Sequence, residues 1–232
     1  MITAVIHQPD FLPWLGFFDR LLHADLFVVL DNVQFTNGSS RSWTYRDKIK
    51  TANGEKWISV GLSKCHRETK INEVSTNNSL WNANMRNQIK ESYRKAKYFE
   101  EIFPYIEELL SSQYEKLVDV NLCSIQLLLE LLDIRVEKVM ASSLQATGKS
   151  NELLVNILKE VGADCYLSGL GAKDYFRGEP FREAGIQVIW QEFKHPHYEQ
   201  LFGDFVPYLS SIDLLFNCGI AASRKIIRGE QI

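Results

Sequence analysis

Short apolar runs alternate with amphipathic stretches along the first part of the chain. Residues 2–6 and 26–30 are apolar runs with several β-branched side chains, which is typical of buried strands. The stretch between them, from Trp14 to His23, carries apolar residues at helical spacing: Leu15, Phe18, Leu21 and Leu22. Strand, helix and strand within about thirty residues predict a βαβ unit, whose first loop faces the ligand side of the sheet.

The same alternation returns in the second half of the chain. Residues 136–140, 165–167 and 186–190 are predicted strands, and residues 151–161 form a predicted amphipathic helix. Strands that alternate with helices favour a parallel sheet, because each helix returns the chain to the same sheet edge.

Two other regions interrupt this alternation. Between residues 42 and 62, Asn53-Gly54 separates two aromatic and β-branched segments, which predicts an antiparallel hairpin. Residues 80–132 have helical periodicity, with Pro104 expected at a helix start. The fold class is therefore α/β: a single domain over residues 1–232, with a mostly parallel Rossmann-like sheet, an inserted β-hairpin and a helical insertion at about 80–132.

The last helix is predicted from its end signals. Ser210 or Ser211 is expected to cap its start and Gly219 to end it. Asp213 and Asn217, four residues apart, share one face of this helix, from which they could reach a site. A packing helix with one polar side is the alternative.

Composition narrows the functional class. Of 232 residues, 45% are hydrophobic and 24% charged, and the net charge of -3 gives no general attraction to nucleic acid or anionic lipid. No apolar run approaches the roughly 20 residues of a membrane helix, and the first residues lack the charged start of a signal peptide. A cytoplasmic protein without a membrane span is expected, and nucleic-acid binding is disfavoured.

The four cysteines are widely spaced and form no CxxC pair. We interpret Cys123 and Cys165, which have apolar sequence neighbours, as reduced core residues. Neither the cysteines nor the histidines have carboxylate or thiolate partners at metal-ligand spacing, so no metal site is predicted.

Three residues are candidates for catalysis. His7 follows the first strand, Asp31 follows the second, and His195 lies in a His-Pro-His segment. Either histidine could take a proton from a reacting amine, and Asp31 could orient that amine. The structural alternatives are a histidine that pins a loop, an aspartate that caps a turn, and histidines of a surface loop.

Two segments are candidates for anion binding. Arg46, Lys48 and Lys50 share one face of the predicted hairpin, in a basic stretch that begins at Arg41. The turn from Ser168 to Gly171 follows a strand and could cradle phosphate with its backbone N–H groups. A solvated charged face and a tight turn with positive φ are the alternatives. The residues proposed to bind substrate are Gln8, Trp14, Gln34, Arg46, Lys48, Lys50, Ser168, Gly169, Gly171, His197, Tyr198, Asp213 and Asn217.

Several of these motifs occur in the order found in one family. His7 to Gly16 resembles the opening HQPxxLPWxGxF signature of WbqC-like proteins, and the likeness continues through residues 30–35, 46–54, 166–169, 195–200 and 211–217. Asp47 departs from the pattern, since asparagine is usual there. The resemblance implies a bacterial protein, associated with surface-polysaccharide or O-antigen gene clusters, that transfers glycine or another aminoacyl group to amino sugars.

These observations lead to three hypotheses. The first is a transferase that moves an acyl or aminoacyl group to the amine of a nucleotide-linked amino sugar, with ATP or an activated acyl donor as co-substrate. The second is a non-catalytic module that binds a nucleotide sugar or a biosynthetic partner. The third is an ATP-dependent ligase or nucleotidyltransferase-like enzyme in which His7 contacts a phosphate, by loose analogy with HxGH-type enzymes.

Overall fold

The computed structural model describes residues 1–37, 42–77 and 80–230. Contacts divide the chain into two compact units, and each is assembled from three separate segments. The sheet unit contains Met1–Gln8, Gly16–Asn32 and Ile134–Lys194. The helical unit contains Pro9–Leu15, Val33–Asp133 and His195–Ile232.

The bounds of the elements follow the chain order. The strands in the described residues are β1 (Thr3–His7), β2 (Leu26–Val29), β3 (Arg46–Thr51), β4 (Gly54–Ser59), β5 (Glu137–Met140), β6 (Cys165–Ser168) and β7 (Gln187–Trp190). The α-helices there are α1 (Leu15–Leu22), α2 (Trp81–Tyr93), α3 (Phe99–Ser111), α4 (Leu117–Leu131), α5 (Asn151–Glu160), α6 (Glu179–Glu183) and α7 (Ile212–Ile227).

The sheet unit contains the predicted parallel sheet, in the order β5-β2-β1-β6-β7. All four strand pairs are parallel. From β1 the chain adds β2 and β5 on one side and then β6 and β7 on the other. The order therefore reverses between β1 and β6, and ligands of open α/β sheets bind at such a switch point, beyond the carboxyl ends of the strands.

Apolar burial holds this sheet together. Ala4 and Ile6 of β1 pack with Val28 of β2, and the cluster includes Leu158 of α5 and Phe181 of α6. Each fully buried Leu, Ile, Val or Phe side chain contributes about 1.5–3 kcal/mol relative to its exposed state. Because helices pack on β1 and β2, the central residues of β1 and all four residues of β2 are apolar, as predicted.

The helical unit contains the predicted hairpin and helical insertion. β3 pairs with β4 in antiparallel register, from Arg46 opposite Ser59 to Thr51 opposite Gly54. Gly54 has a φ of 94°, which a side chain would disfavour, so the Asn-Gly signal has a direct structural reason. In the core of this unit the ring of Tyr93 stacks on Phe216, with centroids 4.5 Å apart.

Two local predictions, for Pro104 and Cys123, were wrong, and a third, for Gly219, was confirmed. Pro104 lies inside α3 rather than at a helix start, so this helix lacks one backbone N–H donor at that position. Gly219 ends the first helical segment of α7, as predicted: its φ of 76° and ψ of 168° are not helical, and a second helical segment continues beyond it to Ile227. Cys123 is exposed, because it lies on the solvent side of α4, whereas Cys165 is buried as expected.

The capping prediction for α7 identified its first turn but not the contacts of the two serines. Ser211 is the N-cap residue, yet its hydroxyl donates to the Pro13 carbonyl at 2.7 Å rather than capping the helix. The Ser210 hydroxyl donates to the Leu12 carbonyl. Within residues 1–37, 42–77 and 80–230, no helix is long and apolar enough to cross a lipid bilayer.

Candidate functional site

The carboxyl edge of the sheet unit gathers several of the predicted site residues. His7 ends β1, Ser168 ends β6, and Asp31 follows β2 by two residues. The register pairs Ala4 with Tyr166. His7 and Gly169 each lie three residues beyond this pair, on the two sides of the switch point.

His7 is half-buried and has a neutral imidazole. Its Nδ1 lies 2.8 Å from the Gln8 carbonyl oxygen, so Nδ1 carries the proton and Nε2 is the acceptor atom of the ring. The ring contacts Phe17 edge-to-face, with centroids 5.3 Å apart. Burial and then the charge of Arg20 lower the pKa of His7 to about 3. At neutral pH this side chain can therefore accept a hydrogen bond but is a weak base.

Arg20 is the main residue of this edge that the sequence did not predict as part of the site. It lies on α1 and is only 5% exposed. A Cβ built on Gly169 would lie 2.9 Å from Arg20 Nη1, so the guanidinium sits directly against the glycine backbone. Its charge also acts on Tyr166 of β6, whose pKa burial nevertheless raises. A buried cation therefore lies beside the ends of both strands at the switch point.

The contact with Arg20 also explains why residue 169 is a glycine. Gly169 has a φ of -76°, which any residue can adopt, so the turn does not need positive φ there. A side chain there would displace the Arg20 guanidinium, so glycine lets the guanidinium lie against the turn. Gly171 has open space around the position of a Cβ and no such constraint.

Other polar groups at this edge fix its loops. Asp31 is 1% exposed and accepts the Ser142 N–H at 2.9 Å, while Asn32 donates to the Ala141 carbonyl. These bonds hold the loop after β5. Gln191, just after β7, donates to the Gly16 carbonyl at 2.8 Å and thereby holds the start of α1. Asp31 has the geometry of a positioning residue rather than of an exposed acid or base.

The helical unit contains a second group of predicted residues, which is aromatic. His195 contacts Tyr198, Phe205 and Tyr208 through its ring, at centroid distances of 6.3, 5.6 and 5.4 Å. Trp14 contacts Tyr208 at 5.6 Å, and His197 contacts Phe205 at 4.4 Å. Burial lowers the pKa of His195, so its imidazole is neutral at pH 7. Trp14, His195, His197 and Tyr198 are thus brought together by Phe205 and Tyr208.

The comparison with known proteins agrees with the motif order. The model of the WbqC-like protein family matches residues 8–225. The chain belongs to the WbqC-like family. It is also 30% identical over 225 residues to the uncharacterized protein Rv1507c of Mycobacterium tuberculosis (strain ATCC 25618 / H37Rv), covering 96% of each chain. No solved structure matches it.

In this WbqC-like chain, Asp213 belongs to a buried hydrogen-bond network of the helical unit. The hydroxyls of Tyr93 and Tyr198 each donate to its carboxylate at 2.9 Å, and Gln200 donates at 2.7 Å. Burial raises the pKa of Asp213, and these donors oppose that shift. Asn217 donates to the Asp213 carbonyl and accepts the Leu201 N–H. Both residues therefore brace α7 against the segment at 198–201.

The basic hairpin of the WbqC-like chain also has internal partners. Lys50 is 2% exposed and donates to Gln200 and to the Asp204 carbonyl. Lys48 pairs with Glu55. The guanidinium of Arg46 lies 4.3 Å from the centre of the Trp57 ring. Phosphate binding by this face would have to compete with these contacts, and Arg41 lies outside the described residues.

Gln34 lies apart from the aromatic group, on the surface of the helical unit. Its amide donates to the Arg67 carbonyl at 2.7 Å, and it lines an open cavity of about 680 Å³ together with Phe35, Leu62 and Arg67. Among the described residues, no three His, Cys, Asp or Glu side chains are grouped so that they could hold a metal ion.

Proposed function

We propose that this WbqC-like protein binds a phosphate-bearing small molecule at the carboxyl edge of its sheet and transfers an acyl or aminoacyl group to an amine of that molecule. The observation that carries the proposal is the buried Arg20 guanidinium against Gly169, at the topological switch point. A planar guanidinium is suited to a phosphate oxygen pair. A nucleotide-linked amino sugar supplies both the phosphates and the amine.

His7 would contribute to orientation. With Nδ1–H bonded to Gln8, Nε2 can accept a hydrogen bond from the substrate amine. A phosphate on Arg20 would offset the guanidinium charge that lowers the pKa of His7. Substrate binding would thus raise the proton affinity of the imidazole at the point where the amine gives up its proton.

The transfer step itself needs an activated acyl donor, such as a thioester or an acyl phosphate. The amine nitrogen attacks the acyl carbonyl carbon, a C–N bond forms, the bond to the donor's leaving group breaks, and the amine proton passes to a base. The backbone N–H groups of Gly169 and its neighbours would donate hydrogen bonds to the oxyanion that forms on the acyl carbonyl and would stabilise it. We expect the reaction to belong to bacterial surface-polysaccharide synthesis and to occur in the cytoplasm.

A non-catalytic binding module is the second candidate. The pKa of His7, about 3 without ligand, favours it, because a base matched to neutral pH would have a higher pKa. The same edge would then hold the nucleotide sugar without reaction.

Mass spectrometry separates the two candidates. The protein is incubated with amino-sugar nucleotides and with glycyl or acetyl donors, with and without ATP, and the sugar is examined for the added mass. A product supports transfer, whereas a thermal shift with the sugar nucleotide but no product supports the module. If neither binding nor a product is observed, both proposals are wrong.

Two glycines give a matched test of the proposed phosphate site at Arg20 and Gly169, called the phosphate corner below. Gly169→Ala places a methyl group 2.9 Å from Arg20 Nη1, so the guanidinium must move. We expect at least about tenfold weaker binding of the sugar nucleotide, which corresponds to about 1.4 kcal/mol. Gly171→Ala has open space and should bind like the original protein. Isothermal titration calorimetry measures both, and equal affinities would contradict the assignment of Arg20.

A further inference from the structure

The aromatic group of the helical unit has a feature that packing alone does not explain. Tyr208 is 56% exposed although it contacts Trp14 and His195 edge-to-face. Tyrosine buries a large ring when it stabilises a core, so an exposed ring at the centre of an aromatic group contributes little to folding.

The backbone beneath this group is also strained. Tyr208 has a φ of 60° and Phe202 a φ of 63°, in the left-handed region that favours glycine and asparagine. Both residues are aromatic, and Phe202 is 39% exposed. Strained residues persist where the surrounding structure fixes them, and they concentrate at ligand sites. Contacts with Trp14 and His195 fix the Tyr208 ring in this conformation, while much of the ring stays open to solvent.

We propose that Tyr208, with Trp14 and His195, forms a stacking platform for the base of a nucleoside. This inference rests on the proposed function for the class of ligand, since a nucleotide-linked sugar carries such a base. The group itself consists of aromatic rings, with neither lysine nor arginine among its members Trp14, His195, His197, Tyr198, Phe205 and Tyr208. Aromatic faces suit a flat, uncharged ring, and stacking accepts every base because each has a π-face.

The hydroxyl of Tyr208 and the imidazole of the exposed His197 add polar edges to the platform. Such groups can donate to or accept from the edge of a base.

Uridine and adenosine are the probes, since neither carries phosphate. Their binding to the full-length protein is followed by ligand-observed NMR and by calorimetry. Tyr208→Phe keeps the ring and should bind within about twofold of the original protein. Tyr208→Asn removes the ring and should bind roughly 5- to 100-fold more weakly, which is the range of base–aromatic stacking.

Thermal unfolding of the same two variants separates a binding role from a packing role. Asparagine tolerates positive φ, so Tyr208→Asn should unfold at the same temperature as the original protein or higher. A clearly lower unfolding temperature would show that the ring serves packing and would overturn the proposal. Equal nucleoside affinity of the two variants, or no nucleoside binding, would do the same.

Further ligands test the choice of a base. Methyl glucoside and tetramethylammonium represent a sugar ring and an organic cation, and preferential binding of either would contradict a base platform. Inorganic pyrophosphate should respond to Gly169→Ala but not to Tyr208→Asn. If the original protein binds nucleosides but not pyrophosphate, the proposed phosphate corner is wrong. If it binds pyrophosphate but no nucleoside, the platform is wrong.

Discussion

At the scale of single residues, the chemistry of the sheet edge depends on Arg20. This cation lies on α1 beside Gly169, and its charge adds to burial in lowering the pKa of His7. A histidine at the end of a first strand is visible in the sequence, whereas its electrostatic partner is not. Arg20 has the spacing of an ordinary helix residue, and only the packing of α1 on the sheet shows which way it faces.

The pH dependence of stability tests this picture at His7. Folded His7 titrates near pH 3 and an unfolded histidine near 6.5, so between these values protons bind preferentially to the unfolded chain. Acid therefore destabilises the protein through this residue, by about 2 kcal/mol on going from pH 7 to pH 5. His7→Gln should reduce the loss of unfolding free energy over this interval by a similar amount.

Urea denaturation at pH 7 and pH 5 measures the effect. Other titratable groups, such as Asp213, contribute equally to the pH dependence of both proteins, so their contributions cancel in the comparison. His66→Gln, at an exposed histidine of the helical unit, is the control and should keep the original dependence. If His7→Gln loses as much stability as the original protein, the imidazole is not held neutral in the fold.

At the scale of elements, the sequence predicted those helices, strands and turns that depend only on neighbouring residues. The apolar runs of β1 and β2, the Asn-Gly hairpin and the periodicity of α5 are each properties of a few neighbouring residues. The sequence could not show that Lys50 lies buried against Gln200, nor that Tyr208 joins Trp14, because these contacts join distant segments. A lone aromatic residue after Pro207 leaves no periodic signal.

Gly219 shows that the end of a helical segment can be predicted while one of its causes stays hidden. Its φ of 76° ends the first helical segment of α7, and a second segment continues to Ile227. A Cβ at this position would also lie 2.6 Å from the ring of Tyr98. Both the positive φ and this close approach of α3 and α7 therefore require the glycine, and only the first is visible in the sequence.

Two glycine variants separate conformational strain from this close approach. Gly219→Ala combines a left-handed backbone with overpacking against Tyr98 and should cost about 2–4 kcal/mol of unfolding free energy. Gly229→Ala has a φ of 70° but nothing within 4 Å, so it should cost only about 1–2 kcal/mol. Chemical denaturation gives both values, and equal losses would mean that Tyr98 moves away at no cost.

At the scale of the whole molecule, the chain order and the spatial order of the sheet differ. β5, β6 and β7 all come from residues 134–194, yet β2 and β1 lie between β5 and β6. The sheet therefore needs both an early and a late segment of the chain. Each of the two units is discontinuous in sequence in this way.

A fragment tests this dependence. Residues 134–194 expressed alone should remain unfolded, because β5 and β6 lack the strands that separate them in the sheet. Circular dichroism and the dispersion of amide resonances measure the outcome, with the full-length protein as reference. A cooperative unfolding transition in the isolated fragment would show that these three strands can form a stable sheet by themselves.

The pairing of β1 with β6 has a consequence during synthesis. Thr3 pairs with Cys165, so β1 leaves the ribosome long before its second neighbour is translated. At about 5–20 residues per second, that delay lasts on the order of ten to thirty seconds. During this time the nascent chain carries an apolar strand with one open edge, which exposes it to aggregation and makes it a substrate for chaperones that bind during translation.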